Sequence, residues 1–150
     1  MSTPRIALIV AGYYPAIVNG LLDGARAELR EGGVAEADIT VIEVPGAFEI
    51  PQAARRAAAT GAFDAIVGIG CLIKGDTMHF EYLATAVSTG LMDAAHATDV
   101  PMAFGVLTTL DEEQAVARSA AGTGNKGREA AHAALAMAAL FRTLGPGRRA

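Results

Sequence analysis

An uncharged run, Ala65-Ile66-Val67-Gly68-Ile69-Gly70-Cys71, constrains this chain more than any other stretch. Ile66, Val67 and Ile69 are β-branched and no position carries a formal charge, the pattern of a strand covered on both faces of a parallel sheet. Beyond it Phe80, Leu83, Ala84, Val87 and Leu91 recur at helical spacing. The loop from Lys74 to His79 therefore joins the carboxyl end of a strand to the amino end of a helix, where unpaired backbone N–H groups and the helix dipole favour an anion. Open α/β sheets hold ligands at this edge. Gly75 lets backbone approach a ligand, Thr77 offers a hydroxyl, Lys74 a charge, and His79 a group that titrates near neutrality. Two readings of the loop stand together: a phosphate site with an acid/base beside it, or an ordinary helix start capped by Asp76 or Thr77.

The flanking segments repeat the strand-then-helix order. Ile6 to Val10 forms a first buried strand, and Ala16 to Glu31 a helix with Ile17, Leu21, Leu22, Ala25 and Leu29 on one face, stopped by Gly32-Gly33. Between them, Ala11-Gly12-Tyr13-Tyr14-Pro15 presents two aromatics in a turn. Ile39 to Val44 mixes polar with apolar residues, as a strand near the sheet edge does. It leads through Pro45-Gly46-Ala47-Phe48-Glu49-Ile50-Pro51 into an alanine-rich helix ending at Thr60. Glu49 has two available roles, in the helix dipole or as an acceptor for a polyhydroxyl ligand. The third helix runs to about Thr98, and Met102 to Leu107 forms the fourth strand. A fourth helix follows with Asp111 as N-cap and Gln114 three residues on. Ala121 to Asn125 breaks the chain before a last helix, Lys126 to Leu144.

Four alternations of strand and helix predict a parallel sheet with helices on both faces and right-handed crossovers. With 150 residues and no linker or low-complexity segment, residues 1–150 are expected to form a single domain. Tyr13, Phe48-Glu49, Leu72 to His79 and Phe104-Gly105 are expected to meet in one cleft.

Hydrophobic residues make up 52% of the chain, many of them alanine, which predicts subunit contacts as well as a core. No apolar run reaches the roughly 18 residues of a membrane span, and the start Met1-Ser2-Thr3-Pro4-Arg5 has no signal-peptide core. A cytoplasmic location is expected. Twelve Lys+Arg against sixteen Asp+Glu give a net charge of -4, and the cations are scattered apart from Arg55-Arg56 and Arg148-Arg149, which argues against nucleic acid. Cys71 is the single cysteine; it forms no intrachain disulfide, lacks a second thiol for a metal, and reads as a small buried residue. His96 and His132 read as structural.

Taken in order, Val44 to Pro51, Ile73 to Tyr82, Phe104-Gly105-Val106-Leu107-Thr108-Thr109, Glu113-Gln114-Ala115 with Arg118, and Gly124-Asn125-Lys126-Gly127 resemble the 6,7-dimethyl-8-ribityllumazine synthase family over nearly the whole chain. The resemblance implies a flavodoxin-like three-layer α/β sandwich with a four-stranded parallel sheet. It implies condensation of 5-amino-6-(D-ribitylamino)uracil with 3,4-dihydroxy-2-butanone 4-phosphate without a cofactor, and the lack of a ligand-spaced Cys/His cluster predicts no metal. By the same carry-over, His79 is the acid/base, and Thr77 with the Gly75 and Asp76 backbone holds the phosphate, completed by Arg118 from a neighbouring subunit. Ala47, Phe48, Glu49, Cys71, Leu72 and Ile73 hold the ribityl chain and pyrimidine, Tyr13 stacks on the ring, and Phe104 reaches across the subunit contact. Lys126 is a secondary site residue. The implied assembly is a homo-oligomer, a pentamer or shell of pentamers, and association with riboflavin synthase belongs to the same picture. Gly12 and Tyr13 stand where many members have arginine and phenylalanine, so a cation is missing there. Asp76 is expected to turn its carboxylate away from a phosphate and leave its N–H.

Two other functions compete: a flavin or nucleotide carrier, which needs the cleft but no proton relay, and a shell protein that retains the fold without catalysis. His79 and Arg118 favour the synthase over a carrier, and the first turn lacks the glycine cradle of a dinucleotide site.

Overall fold

The computed structural model describes residues 3–147; the Met1-Ser2 start and the Arg148-Arg149 pair lie outside the described residues. Strands β1 (Ile6–Ala11), β2 (Ile39–Val44), β3 (Ala65–Ile73) and β4 (Met102–Thr109) form one parallel sheet in the order β2-β1-β3-β4. Helices α1 (Pro15–Glu31), α2 (Ile50–Ala59), α3 (His79–Thr98), α4 (Glu112–Ser119) and α5 (Lys126–Leu144) cover it. Short 3-10 turns at Glu36–Asp38 and Ala47–Glu49 lead into β2 and α2.

The two-residue side-chain period of a strand splits the core into two layers. Ile6, Leu8 and Val10 of β1 join Val67, Ile69 and Cys71 of β3 against α1, α4 and α5. Ala7, Ile9 and Ala11 join Ile66 against Ile50, Ala54, Val87 and Leu91 of α2 and α3. Burying each large aliphatic side chain contributes about 1.5–3 kcal/mol. On this second face β3 presents Gly68, where a Cβ would stand 3.0 Å from Ile50 and 3.1 Å from Leu91, so the glycine lets both helices lie against the strand.

Two strands run further than the apolar pattern indicates. β3 ends at Ile73 and β4 at Thr109, because Leu72 and Ile73 pair with Thr108 and Thr109, and the Lys74 amide donates to the Thr109 carbonyl at 2.9 Å. Thr108 and Thr109 thus carry the strand past Leu107, the end expected from the apolar pattern. That helix starts after Asp111, whose carboxylate accepts from the Gln114 amide at 2.8 Å, while the Gln114 side chain accepts from the Leu110 amide at 3.0 Å.

α1 ends in a reciprocal pair of bonds: Val34 N–H donates to the Leu29 carbonyl and Gly33 N–H, at φ 93°, to that of Arg30. Its other end is less ordinary. Tyr14 is the N-cap in the left-handed region, at φ 58° and ψ 67°, with no side-chain cap. That conformation costs an L-residue with a Cβ about 1–2 kcal/mol. His96 and His132 are both exposed, and no described helix is long and apolar enough to cross a membrane.

Asn125, which the sequence marks as part of a helix break and of the Gly124-Asn125-Lys126-Gly127 motif, is a buried junction. Its amide nitrogen donates to the carbonyls of Gly20, Ser119 and Ala120 at 3.0–3.1 Å, and its oxygen accepts from the Arg128 amide at 3.0 Å. One side chain therefore caps α5 and ties it to α1 and to the end of α4. Asn125→Ala strands these carbonyls and removes the cap, and should lower stability by about 2–4 kcal/mol, read as a drop in the urea midpoint. A change below about 0.5 kcal/mol, the scale of a neutral surface substitution, would refute the junction.

Candidate active site

At the carboxyl edge of the sheet the ends of β1 and β3 diverge around a hollow of about 420 Å³. One wall comes from Ala11, Tyr13 and Tyr14 after β1, a second from Gly46, Ala47, Phe48 and Glu49, and the floor from Cys71, Leu72 and Ile73. Gly75, Thr77, His79, Phe80 and Leu83 close it from the loop and the start of α3. Tyr13 leans over the Gly46 turn: a Cβ on Gly46 would lie 3.4 Å from its ring and 3.2 Å from a Glu49 carboxylate oxygen. The missing side chain brings ring and carboxylate to the same backbone. Glu49 precedes α2 without forming a side-chain cap, so its carboxylate is available to the hollow.

The loop itself differs from the ordinary helix start. The N-cap of α3 is Met78, with no side-chain cap, and Thr77 offers only a long contact, its oxygen accepting from the His79 amide at 3.4 Å. Capping by Asp76 or Thr77, the alternative reading of this loop, is therefore not what starts this helix, whose first turn has no side-chain cap. Asp76 is exposed and does not line the hollow. Neither does Lys74, expected to lend the loop its charge: its Nζ pairs with Glu81 Oε1 at 3.0 Å, joining the end of β3 to the first turn of α3. The Lys74 hydrogen bond, aided by the Glu81 backbone N–H, holds the Glu81 carboxyl below the usual carboxylate range. Its Oε2 is buried without a partner among the described residues.

Burial, with a smaller contribution from Glu112, pushes the Cys71 thiol up to about 11, so it stays protonated near neutrality and is a poor nucleophile. Among the described residues no group of three or more His, Cys, Asp or Glu side chains is placed to hold a metal.

Phe104, Arg118 and Lys126 do not join the first hollow. They line a second one, of about 470 Å³, that runs along β4 with Gly105, Thr108 and Glu129 and shares no lining residue with the first. The expectation of one cleft is corrected here. Phe104 pairs in register with Gly68 in mid-strand, and because β4 continues to Thr109 it stands five residues, roughly 16 Å, short of the carboxyl edge. Phe104 is exposed on a strand with one free edge. Among the described residues Arg118 bonds only to the Gln114 carbonyl, at 3.3 Å, whereas Lys126 is paired with Glu129 at 2.8 Å.

Tyr14, Phe80 and Leu83 also line the first hollow, although sequence reasoning gave none of them a site role. The helical periodicity of Phe80 and Leu83 and the paired aromatics of the Tyr13-Tyr14 turn were usable signals; the left-handed backbone at Tyr14 was not, because a tyrosine does not encode it.

A family model described as 6,7-dimethyl-8-ribityllumazine synthase matches residues 3–142. The chain is also 45% identical over 141 residues to a Caulobacter vibrioides protein named 6,7-dimethyl-8-ribityllumazine synthase 1, covering 94% of this chain and 92% of the relative. The two agree with the motif order and with the four-stranded parallel architecture, and the chain belongs to the 6,7-dimethyl-8-ribityllumazine synthase family.

Proposed function

We propose that this protein makes 6,7-dimethyl-8-ribityllumazine in riboflavin biosynthesis, joining 5-amino-6-(D-ribitylamino)uracil to 3,4-dihydroxy-2-butanone 4-phosphate with release of phosphate and water. The observation that carries the reading is the convergence of His79, Thr77, Gly75, Glu49 and Tyr13 on one hollow at the carboxyl edge of the sheet. The order of steps is imine formation at the 5-amino group, loss of phosphate, ring closure and dehydration. Each step moves a proton, and His79 sits beside the anion loop to carry it. Thr77 and the Gly75 and Asp76 amides receive the phosphate at the uncapped start of α3. Ala47, Phe48 and Glu49 face Cys71, Leu72 and Ile73 across the hollow and bind the ribityl chain and pyrimidine, with Tyr13 on the ring face.

The charge balance points to a site completed by a neighbouring copy. A phosphate dianion calls for a guanidinium, yet Lys74 is engaged by Glu81 and Arg118 lies on the other hollow. Arg118 and Phe104 of a neighbouring copy would complete the site, with Lys126 beside them. We therefore read the protein as an obligate homo-oligomer, a pentamer or shell of pentamers, with riboflavin synthase as a further partner. The free, buried Cys71 suits a reducing, cytoplasmic setting.

Mixing the purified protein with both substrates in chelator and following the lumazine absorbance tests the reading directly; absence of product would sink it. His79→Ala should lower kcat by about 10²-fold while shifting substrate affinity little, and a rate within about twofold of the parent would refute the role. A co-assembled mixture of inactive His79→Ala and inactive Arg118→Ala chains should regain part of the activity, because some mixed interfaces contain both intact groups. Failure to recover, with subunit exchange demonstrated, would refute the shared site.

The Lys74–Glu81 pair adds a pH dependence. Because the Glu81 carboxyl is held below its usual range, the pair's hold on the loop is complete above the ordinary carboxylate pKa and is lost as pH falls through the lower value in the fold. Hydrogen exchange of loop amides, corrected for intrinsic rates, should show protection that falls on acidification in the parent and not in Glu81→Gln. Equal pH responses would disprove the coupling.

A further inference from the structure

Tyr14 is held in a backbone conformation that its own side chain disfavours, at φ 58° and ψ 67°. The backbone work done there does not require tyrosine. The Tyr14 carbonyl accepts from the Val18 amide at 3.0 Å and Pro15 opens α1, tasks that glycine or asparagine performs in the left-handed region with less strain. Nor does the side chain repay the strain by capping, since it makes no capping hydrogen bond. It is 43% exposed, so it is not retained as core either. What the strained backbone does achieve is placement: the phenol lines the first hollow together with Tyr13, and the two adjacent aromatics stand on its wall. Strain maintained beside a ligand site is a mark of a residue kept for binding.

We infer that Tyr14 is a specificity-determining residue, a second aromatic wall that selects the planar aminopyrimidine substrate; this rests on the function proposed above. Two consecutive residues on an extended strand point to opposite faces. The left-handed turn at Tyr14 is what lets a neighbour of Tyr13 line the same space. The ring adds a second tyrosine face to a hollow already lined by Tyr13, Phe48, His79 and Phe80, and a planar heteroaromatic ring gains from such a face while an aliphatic phosphate does not.

Tyr14→Asn separates binding from structure, because asparagine accepts the left-handed backbone and the helix start is preserved. The variant is expected to melt about 2–4 °C higher than the parent as strain is released. It should also bind the aminopyrimidine substrate about fivefold to tenfold more weakly, with KM for the butanone phosphate unchanged. Tyr14→Phe, which keeps the ring, should stay within about twofold of the parent in both constants. Unchanged KM for the aminopyrimidine in Tyr14→Asn, an equal rise in both KM values, or a Tyr14→Phe loss as large as that of Tyr14→Asn would each overturn the assignment to the ring. Calorimetric titration of parent and variant with 5-amino-6-(D-ribitylamino)uracil alone keeps the two proposals distinct. A parent that binds this compound but forms no product overturns the synthase reading and leaves the Tyr14 comparison decisive. A parent that does not bind it overturns the Tyr14 inference as well.

Discussion

The placement of β3 between β1 and β4 is the constraint on which the rest of the structure depends. Its buried residues pair in register with both neighbours, Val67 opposite Leu8 on one side and Ala103 on the other. A strand covered on both faces cannot slip by one residue without exchanging its two layers of side chains. That fixes where Ile73 ends and so where the Lys74 to His79 loop begins. Glycines on the same sheet set the depth of the helices: a Cβ on Gly105 would stand 2.7 Å from the Gly68 carbonyl and 3.1 Å from Ala130 of α5. Small residues in the sheet thus hold helices close on both faces, and the loops at its carboxyl edge inherit their positions from that packing.

Within this frame the loop from Lys74 to His79 gets its shape from pairing rather than from capping. The Lys74 amide continues the ladder onto Thr109, its ammonium reaches the first turn of α3 through Glu81, and among the described residues the long Thr77 contact is the one side-chain hydrogen bond made by the six residues between. The arrangement uses a lysine to hold the loop and leaves amides, a hydroxyl and an imidazole facing the hollow. Lys74 is already paired with Glu81, and ion pairs of this kind contribute mainly to geometry.

The division into two hollows has a matching consequence for assembly. Phe104 and Arg118 are exposed beside the free edge of β4, and both residue types are enriched where protein surfaces meet. An unpaired parallel edge is itself a surface that proteins cover. If the site is shared between copies, as proposed, binding and assembly would be one thermodynamic process, since whatever stabilises the interface would also complete the site.

Much of this was legible in the linear chain. The uncharged β3 run, the helical spacing of Phe80 to Leu91, and the Gly32-Gly33 stop dictated their elements locally, because side-chain period and φ preference act over a few residues. Lys126 to Leu144 was readable to the residue for the same reason, and the turns bearing Tyr13, Ala47 to Glu49 and Thr77 to His79 could be assigned to strand ends. What the tertiary structure alone decided is everything that depends on a contact distant in sequence. Thr108 and Thr109 became strand through pairing with Leu72 and Ile73. Lys74 left the site for Glu81, Asn125 became a junction for carbonyls as far away as Gly20, and Phe104 fell mid-strand on a separate hollow. Composition, periodicity and turn residues report a residue's own preferences, whereas pairing register and the direction of a charged side chain are set by partners the local sequence does not contain.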